Sequence, residues 1–214
     1  MFAYCLNNAV GMFDPNGSCS KVLLWKIDCG KATCNDSSNY NPSAKRVAVL
    51  YDSRTSGYLG GLFGGKGFED QGATLISVME TTYNVEAYPF TTMDGFVDSW
   101  NSLEGEYDKV YILSHGYAGG LSCAGQSISN CGTKQYSFSD LNSVSAKTVN
   151  LFSCNGATFG DHGSVAESFA QLTNGSVWAV HNGKLSYSFL THIPTPARGG
   201  VWSVTRGNET FCWN

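Results

Sequence analysis

Two short apolar runs in this chain each end in a side chain capable of covalent chemistry. The first, Val110-Tyr111-Ile112-Leu113-Ser114-His115-Gly116, ends in an imidazole. The second, Val149-Asn150-Leu151-Phe152-Ser153-Cys154-Asn155-Gly156, ends in a thiol. Each reads as a short buried strand stopped by glycine. In a parallel α/β sheet the ends of neighbouring strands meet at one edge, which is where ligands bind. Two such strands side by side place an imidazole beside a thiol, the base-plus-nucleophile arrangement of a cysteine hydrolase. A thiol is a weak nucleophile until deprotonated, and an adjacent imidazole or the N-terminus of a following helix lowers its pKa. His115 then serves as base for the attack and as acid for the leaving amine. Gly116 allows close backbone approach to a substrate, and its N–H, with that of Cys154, is placed to hold a developing oxyanion.

Other residues compete for attention. Gly60-Gly61-Leu62-Phe63-Gly64-Gly65-Lys66-Gly67 approaches a phosphate-binding loop, but Gly67 stands where Ser or Thr would ligate magnesium. The gap it occupies, from about 53 to 71, is also too long for a tight strand-to-helix turn, so the segment is expected to be a lid near the cleft. Asp161-His162 follows the cysteine run and either supplies charge to a substrate pocket or opens the next helix. Trp178 either lines the cleft at the next strand end or belongs to the core. His181 and His192 read as surface or structural. No Gly-x-Ser-x-Gly and no His-Glu-x-x-His occurs, so serine-hydrolase and zinc-peptidase chemistry lack their signatures. Too few residues follow Cys154 for a papain-like Cys-before-His order. Neither a metal nor a cofactor is expected.

The elements that must position the pair follow a regular alternation. Strands are expected at 46–52, 85–90, 109–114, 147–153 and 177–180. Helices are expected at 72–83, at 92–103 with Thr92 or Asp94 as cap, and at 164–172. Phe96, Val97, Trp100 and Leu103 share one face of the second helix. Ser164 with Glu167 three residues on is a capping-box pattern for the third. Strands separated by helices imply parallel pairing with right-handed crossovers. Residues 117–146 read as a long polar excursion. Residues 184–214 hold no clear helix and suggest a hairpin from Leu185 to Leu190, then a tail broken by Pro and Gly.

Composition bounds the alternatives. A chain of 214 residues with 42 % hydrophobic residues can bury one sizeable core. A net charge of -4 without any Lys/Arg-rich run argues against nucleic acid or anionic membrane as partner. No apolar run approaches the roughly 20 residues that span a bilayer, and the N-terminus lacks the pattern of a signal peptide. The expectation is a soluble chain, whether whole or cut from something longer. Eight cysteines are many for a cytosolic protein. Cys29 with Cys34, and Cys123 with Cys131, are spaced to close small loops, and free half-buried thiols are the alternative.

Two resemblances sharpen these expectations. Residues 1–17 resemble the end of the Rhs-repeat core of bacterial polymorphic toxins, through Tyr4, Asn7, Asn8, Val10, Asp14, Pro15 and Gly17, with Ala9 where proline is usual. That resemblance implies that the chain after about residue 18 is the variable C-terminal domain of such a protein, often a toxin, with the Rhs shell and an immunity protein as candidate partners. A strand ending in His-Gly, then one ending in Cys-x-Gly, resembles the caspase-like superfamily of cysteine peptidases (clan CD). The similarity covers about residues 45–185 and extends through Gly163, Phe169, Ala170, Leu172, Thr173, Gly175 and Val177. It implies a catalytic dyad of His115 and Cys154, an oxyanion hole at Gly116 and Cys154, and a peptide or protein substrate. His115 and Cys154 lie 39 residues apart, somewhat less than the roughly 50 usual in caspases. Phe152 stands where metacaspases carry an acidic residue, so their Arg/Lys preference does not transfer.

The expected organisation is a remnant of an Rhs core (1–17), a linker (18–44) with a candidate edge strand at Val22–Ile27, and a peptidase domain (45–214). That domain is expected to be α/β: a caspase-like three-layer sandwich with a mostly parallel sheet and helices on both faces. The expected function is that of a cysteine endopeptidase, an exported or delivered bacterial effector; the alternatives are a non-catalytic caspase-like adaptor and a disulfide-stapled extracellular binding domain. Asp161 and Trp178 are the candidate substrate-binding residues.

Overall fold

The computed structural model describes residues 44–54, 67–130, 135–187 and 194–213. The Rhs-like segment, the linker, Cys29, Cys34, Cys131, most of the Gly60–Gly67 loop and His192 lie outside the described residues.

A hydrophobic run buried on both faces becomes a central strand of a parallel sheet. Arg46–Asp52 (β1) does this, with every residue after Arg46 buried. Val47, Val49 and Tyr51 point to one side, where Leu75, Ile76 and Met79 of the helix Phe68–Met79 (α1) cover them. Ala48 and Leu50 point to the other, joining Phe96 and Trp100 of Met93–Asn101 (α2) and Phe169 of Val165–Thr173 (α3). The core is therefore two clusters, one on each face, with helices on both.

The remaining strands are β2 (Asn84–Phe90), β3 (Glu106–Leu113), β4 (His115–Tyr117), β5 (Gly120–Cys123), β6 (Gln126–Ser129), β7 (Ser145–Phe152), β8 (Ser176–His181), β9 (Lys184–Tyr187), β10 (Pro194–Ala197), β11 (Val201–Arg206) and β12 (Glu209–Trp213). The main sheet has seven strands in the order β12-β11-β8-β7-β3-β1-β2. β2, β1, β3, β7 and β8 run parallel. β11 and β12 are antiparallel additions at one edge. The chain is thus α/β with a mostly parallel central sheet. Pro89 is accommodated because β2 is the opposite edge, where a missing N–H costs no ladder bond.

Caps follow the sequence closely. The Thr92 hydroxyl accepts from the Gly95 N–H at 3.1 Å. Ser164 and Glu167 form the reciprocal capping box, at 3.1 and 2.9 Å.

Three expectations need correction. The first helix spans Phe68–Met79 rather than 72–83. Glu69 and Asp70 sit in its first turn, where the helix dipole favours acidic residues, and Thr81 to Tyr83 are needed to turn the chain into β2. The excursion 117–146 is not irregular at its start: β4, β5 and β6 form a three-stranded antiparallel sheet. Its two-residue turns, Ala118-Gly119 and Ala124-Gly125, use positive φ at Gly119, Ala124 and Gly125. The tail is also ordered. β9 pairs with β10, and β11 and β12 extend the main sheet, while residues 188–190 of the expected hairpin lie outside the described residues. Alternation along Val201–Arg206 is the local signal that the glycines on either side of it obscured.

Candidate active site

The register of β3 against β7 brings the two reactive residues together. Leu113 pairs with Phe152 as the last ladder pair, and the Ser114 N–H donates to the Phe152 carbonyl at 3.4 Å. His115 and Cys154 each lie two residues beyond that pair, at the carboxyl edge of adjacent parallel strands. Backbone contact continues past the ladder. A β-carbon on Gly116 would fall 2.5 Å from the Cys154 carbonyl oxygen and 2.8 Å from Ser153 Cβ. Only glycine permits this approach, so Gly116 sets the separation of the two loops. Gly116→Ala is accordingly expected to push them apart by several tenths of an ångström or more. A displacement of about 1 Å costs roughly 100-fold in a positioned reaction, and steady-state peptide hydrolysis would record it.

His115 is exposed and Cys154 is half-buried. Among the described residues no hydrogen bond joins the imidazole to the thiol. The imidazole instead leans edge-on against the Phe68 ring, with centroids 5.0 Å apart. Phe68, at the start of α1, was not apparent as a site residue, because its partner lies 47 positions on.

The cysteine loop is held from three directions. Asn155 adopts φ +54° while its N–H donates to the Gly183 carbonyl at 2.9 Å. The Ala157 N–H donates to Val180 O at 2.9 Å, and the Ala166 N–H of α3 to Gly156 O at 2.9 Å. His181 Nδ1 lies within hydrogen-bond distance, 3.0 Å, of the Ala157 carbonyl. It braces the loop that carries Cys154.

Neither Asp161 nor Trp178, the expected substrate-binding residues, is among the residues lining the cleft beside His115. Asp161 and His162 are exposed on the turn between Gly160 and Gly163. Trp178 is not at a strand end: it pairs with Asn150, four residues before Cys154, and β8 continues to His181. The cleft beside His115 is built differently. It has a volume of about 420 Å³ and is lined by Arg54, His115, Tyr117, Ser122, Gln126 and Ser127, among others. A somewhat larger open cleft, about 460 Å³, lies at the far end of β7 around Ser145, Lys147 and Asn174. It does not include His115, and Cys154 is among the lining residues of neither cleft.

Arg54 closes one wall of the first cleft. Its Nε and Nη2 donate to Asp52 Oδ1 and Oδ2 at 2.9 and 2.6 Å, and its backbone N–H donates to Oδ1 at 3.1 Å. The Asp52 side chain is 3 % exposed and that of Arg54 34 %. Burial acts to raise the Asp52 carboxyl, but the hydrogen bonds and charge of Arg54 outweigh it and hold the carboxyl below its ordinary value. Cys123, behind the pair, is a free buried thiol. Burial, with the Asp52 charge beside it, pushes this thiol up to about 11.

The sign of the Asp52 shift sets a pH dependence. A carboxyl depressed in the folded state stabilises the fold above its ordinary value of 3.8, and that contribution is lost as pH falls through the folded value. Asp52→Asn should cost about 1–2 kcal/mol at neutral pH, given the partly exposed partner. It should also flatten the acid limb of the stability curve. Chemical denaturation of both chains between pH 2 and 7 measures this, and parallel acid limbs would refute the assignment.

Among the described residues there is no cluster of three or more His, Cys, Asp or Glu fit to hold a metal, and no helix is long and apolar enough to cross a membrane. No protein-family model matches the chain, and no curated protein matches it significantly. The molecule is thus defined by its fold and its site: a mostly parallel α/β sheet with an imidazole and a thiol at adjacent strand ends.

Proposed function

We propose that this chain is a cysteine endopeptidase of the caspase-like type, acting through His115 and Cys154. The observation that carries the proposal is the Leu113–Phe152 register, which sets the two residues level at the sheet's carboxyl edge. His115 takes the thiol proton, and the Cys154 sulfur attacks the scissile carbonyl carbon. The Gly116 and Cys154 N–H groups hold the oxyanion. The tetrahedral intermediate collapses to a thioester as His115 gives its proton to the leaving amine. Water, deprotonated by His115, then hydrolyses the thioester and restores the thiol. No cofactor enters these steps. The resemblance of residues 1–17 to the end of an Rhs core supports delivery as part of a larger bacterial protein, with the cleaved target in another cell or in the carrier itself.

The absence of a His115–Cys154 hydrogen bond among the described residues favours a rival, a non-catalytic adaptor of the same fold. Catalytic hydrogen bonds are often long without substrate, so reactivity separates the two. Iodoacetamide at neutral pH, with modification mapped by mass spectrometry, should label Cys154 at least about ten-fold faster than exposed Cys212. Exposure alone predicts the reverse order, and that order would favour the adaptor.

A further inference from the structure

The cleft beside His115 has a charge arrangement that narrows what it can hold. Among the described residues that line it, Arg54 carries a permanent positive charge and is locked side-on to a carboxylate buried behind it. With Asp52 ionised, the pair is neutral. A basic side chain entering the cleft would meet the guanidinium first, since Asp52 is only 3 % exposed and lies outside the cleft lining. An acidic side chain would find the Arg54 charge already compensated by Asp52 and would be desolvated beside that second carboxylate. An apolar side chain would leave the donors of the wall unmatched. The Asp52 fork uses two of the five guanidinium N–H donors, and three lie outside it. The hydroxyls of Ser122 and Ser127 line the same space. A carboxamide meets these demands: its carbonyl accepts from the guanidinium, its NH2 donates to a hydroxyl, and no charge is desolvated.

We infer that this cleft is the subsite for the side chain next to the scissile bond, and that it selects asparagine or glutamine. The inference rests on the proposed peptidase reading for its biological sense, but it concerns binding and can be tested without catalysis. Asp52 is a positioning residue here: it sets both the orientation of Arg54 and the neutrality of the wall.

The test uses the full chain carrying Cys154→Ala and fluorescent peptides of the form Ala-Ala-Xaa-Gly-Gly-amide, with binding read by anisotropy. Xaa is Asn, Gln, Asp, Lys or Leu. Asn or Gln should bind at least about ten-fold more tightly than Asp, Lys and Leu, because a site built to hydrogen-bond a group rejects analogues that lack it. Adding Asp52→Asn, which frees the Arg54 charge, should move the preference to Asp. Adding Arg54→Lys keeps the pairing with Asp52 but removes the forked donors, and should abolish the preference for carboxamides; thermal unfolding of each variant confirms that it is folded. Preference for Asp, Lys or Leu in the parent chain, equal binding of all five, or no binding would each overturn the inference, as would unchanged preference in folded Arg54→Lys. Cleavage of the same peptides by the chain with Cys154 intact reports separately on the peptidase reading. Cleavage after residues other than Asn or Gln would sink the subsite and leave the enzyme.

Discussion

Cys154→Ala is expected to abolish hydrolysis of a diverse peptide library, with a loss of at least about 1,000-fold, and His115→Ala is expected to fall nearly as far. The reasoning is chemical: without the sulfur there is no thioester, and without the imidazole neither the thiol nor the leaving amine has a proton partner. Because the two act as one unit, the double variant should be no worse than either single one. Both positions tolerate the change structurally, since His115 is exposed and Cys154 only half-buried; circular dichroism and thermal unfolding should be nearly unchanged. Cleavage by the intact chain alone would establish the peptidase and reveal its preference. Equal cleavage by both would remove Cys154 from the chemistry. Silence from both would return the chain to the adaptor reading.

The largest expected effect on stability lies far from the site. Trp100 on α2 is fully buried. Its ring packs against Phe169 of α3, with centroids 4.9 Å apart, and its Nε1 donates to the Asn142 carbonyl at 2.8 Å. Trp100→Ala would open a cavity between two helices and leave that carbonyl without its donor. The cost should be about 3–5 kcal/mol, or a fall in Tm of roughly 10 °C for a domain of this size. Calorimetry or denaturant unfolding measures it. A change under about 1 kcal/mol would mean that the α2–α3 packing is not the dominant contact of that face. Trp100→Phe should recover much of the loss, because it restores the aromatic contact with Phe169 but not the donor.

These residues differ in how legible they are in the sequence. Trp100 is readable as a core residue because helical spacing with Phe96 marks a buried face, and spacing is a local property. His115 and Cys154 are readable because an apolar run that ends in Gly marks a strand terminus wherever it occurs. Arg54 is not. It lies two residues beyond β1 and carries no motif, and its meaning depends on Asp52 being buried and on β5 and β6 folding back over the cleft. The hairpins of β4 to β6 are hidden for a related reason: Ala124 is an unusual occupant of a left-handed turn, so the local chemistry points weakly to a reversal that the ladder enforces.

The amino-acid sequence by itself determined the alternation of strands and helices, the caps at Thr92 and Ser164, the α/β class and the two strand ends that carry His115 and Cys154. Each of these depends on side-chain periodicity or on hydrogen bonds within a few residues. Tertiary structure alone decided that β3 and β7 are neighbours in a register that levels His115 with Cys154. It also decided that Gly116 touches the cysteine loop, that His181 braces it, that Trp178 sits mid-strand, and that Asp52 neutralises Arg54 in the cleft. Apart from the local Asp52–Arg54 pair, whose burial in the cleft wall still depends on the strands around it, these features rest on contacts between segments distant along the chain. They arise when one packing satisfies both faces of the sheet at once, and no local pattern encodes that requirement.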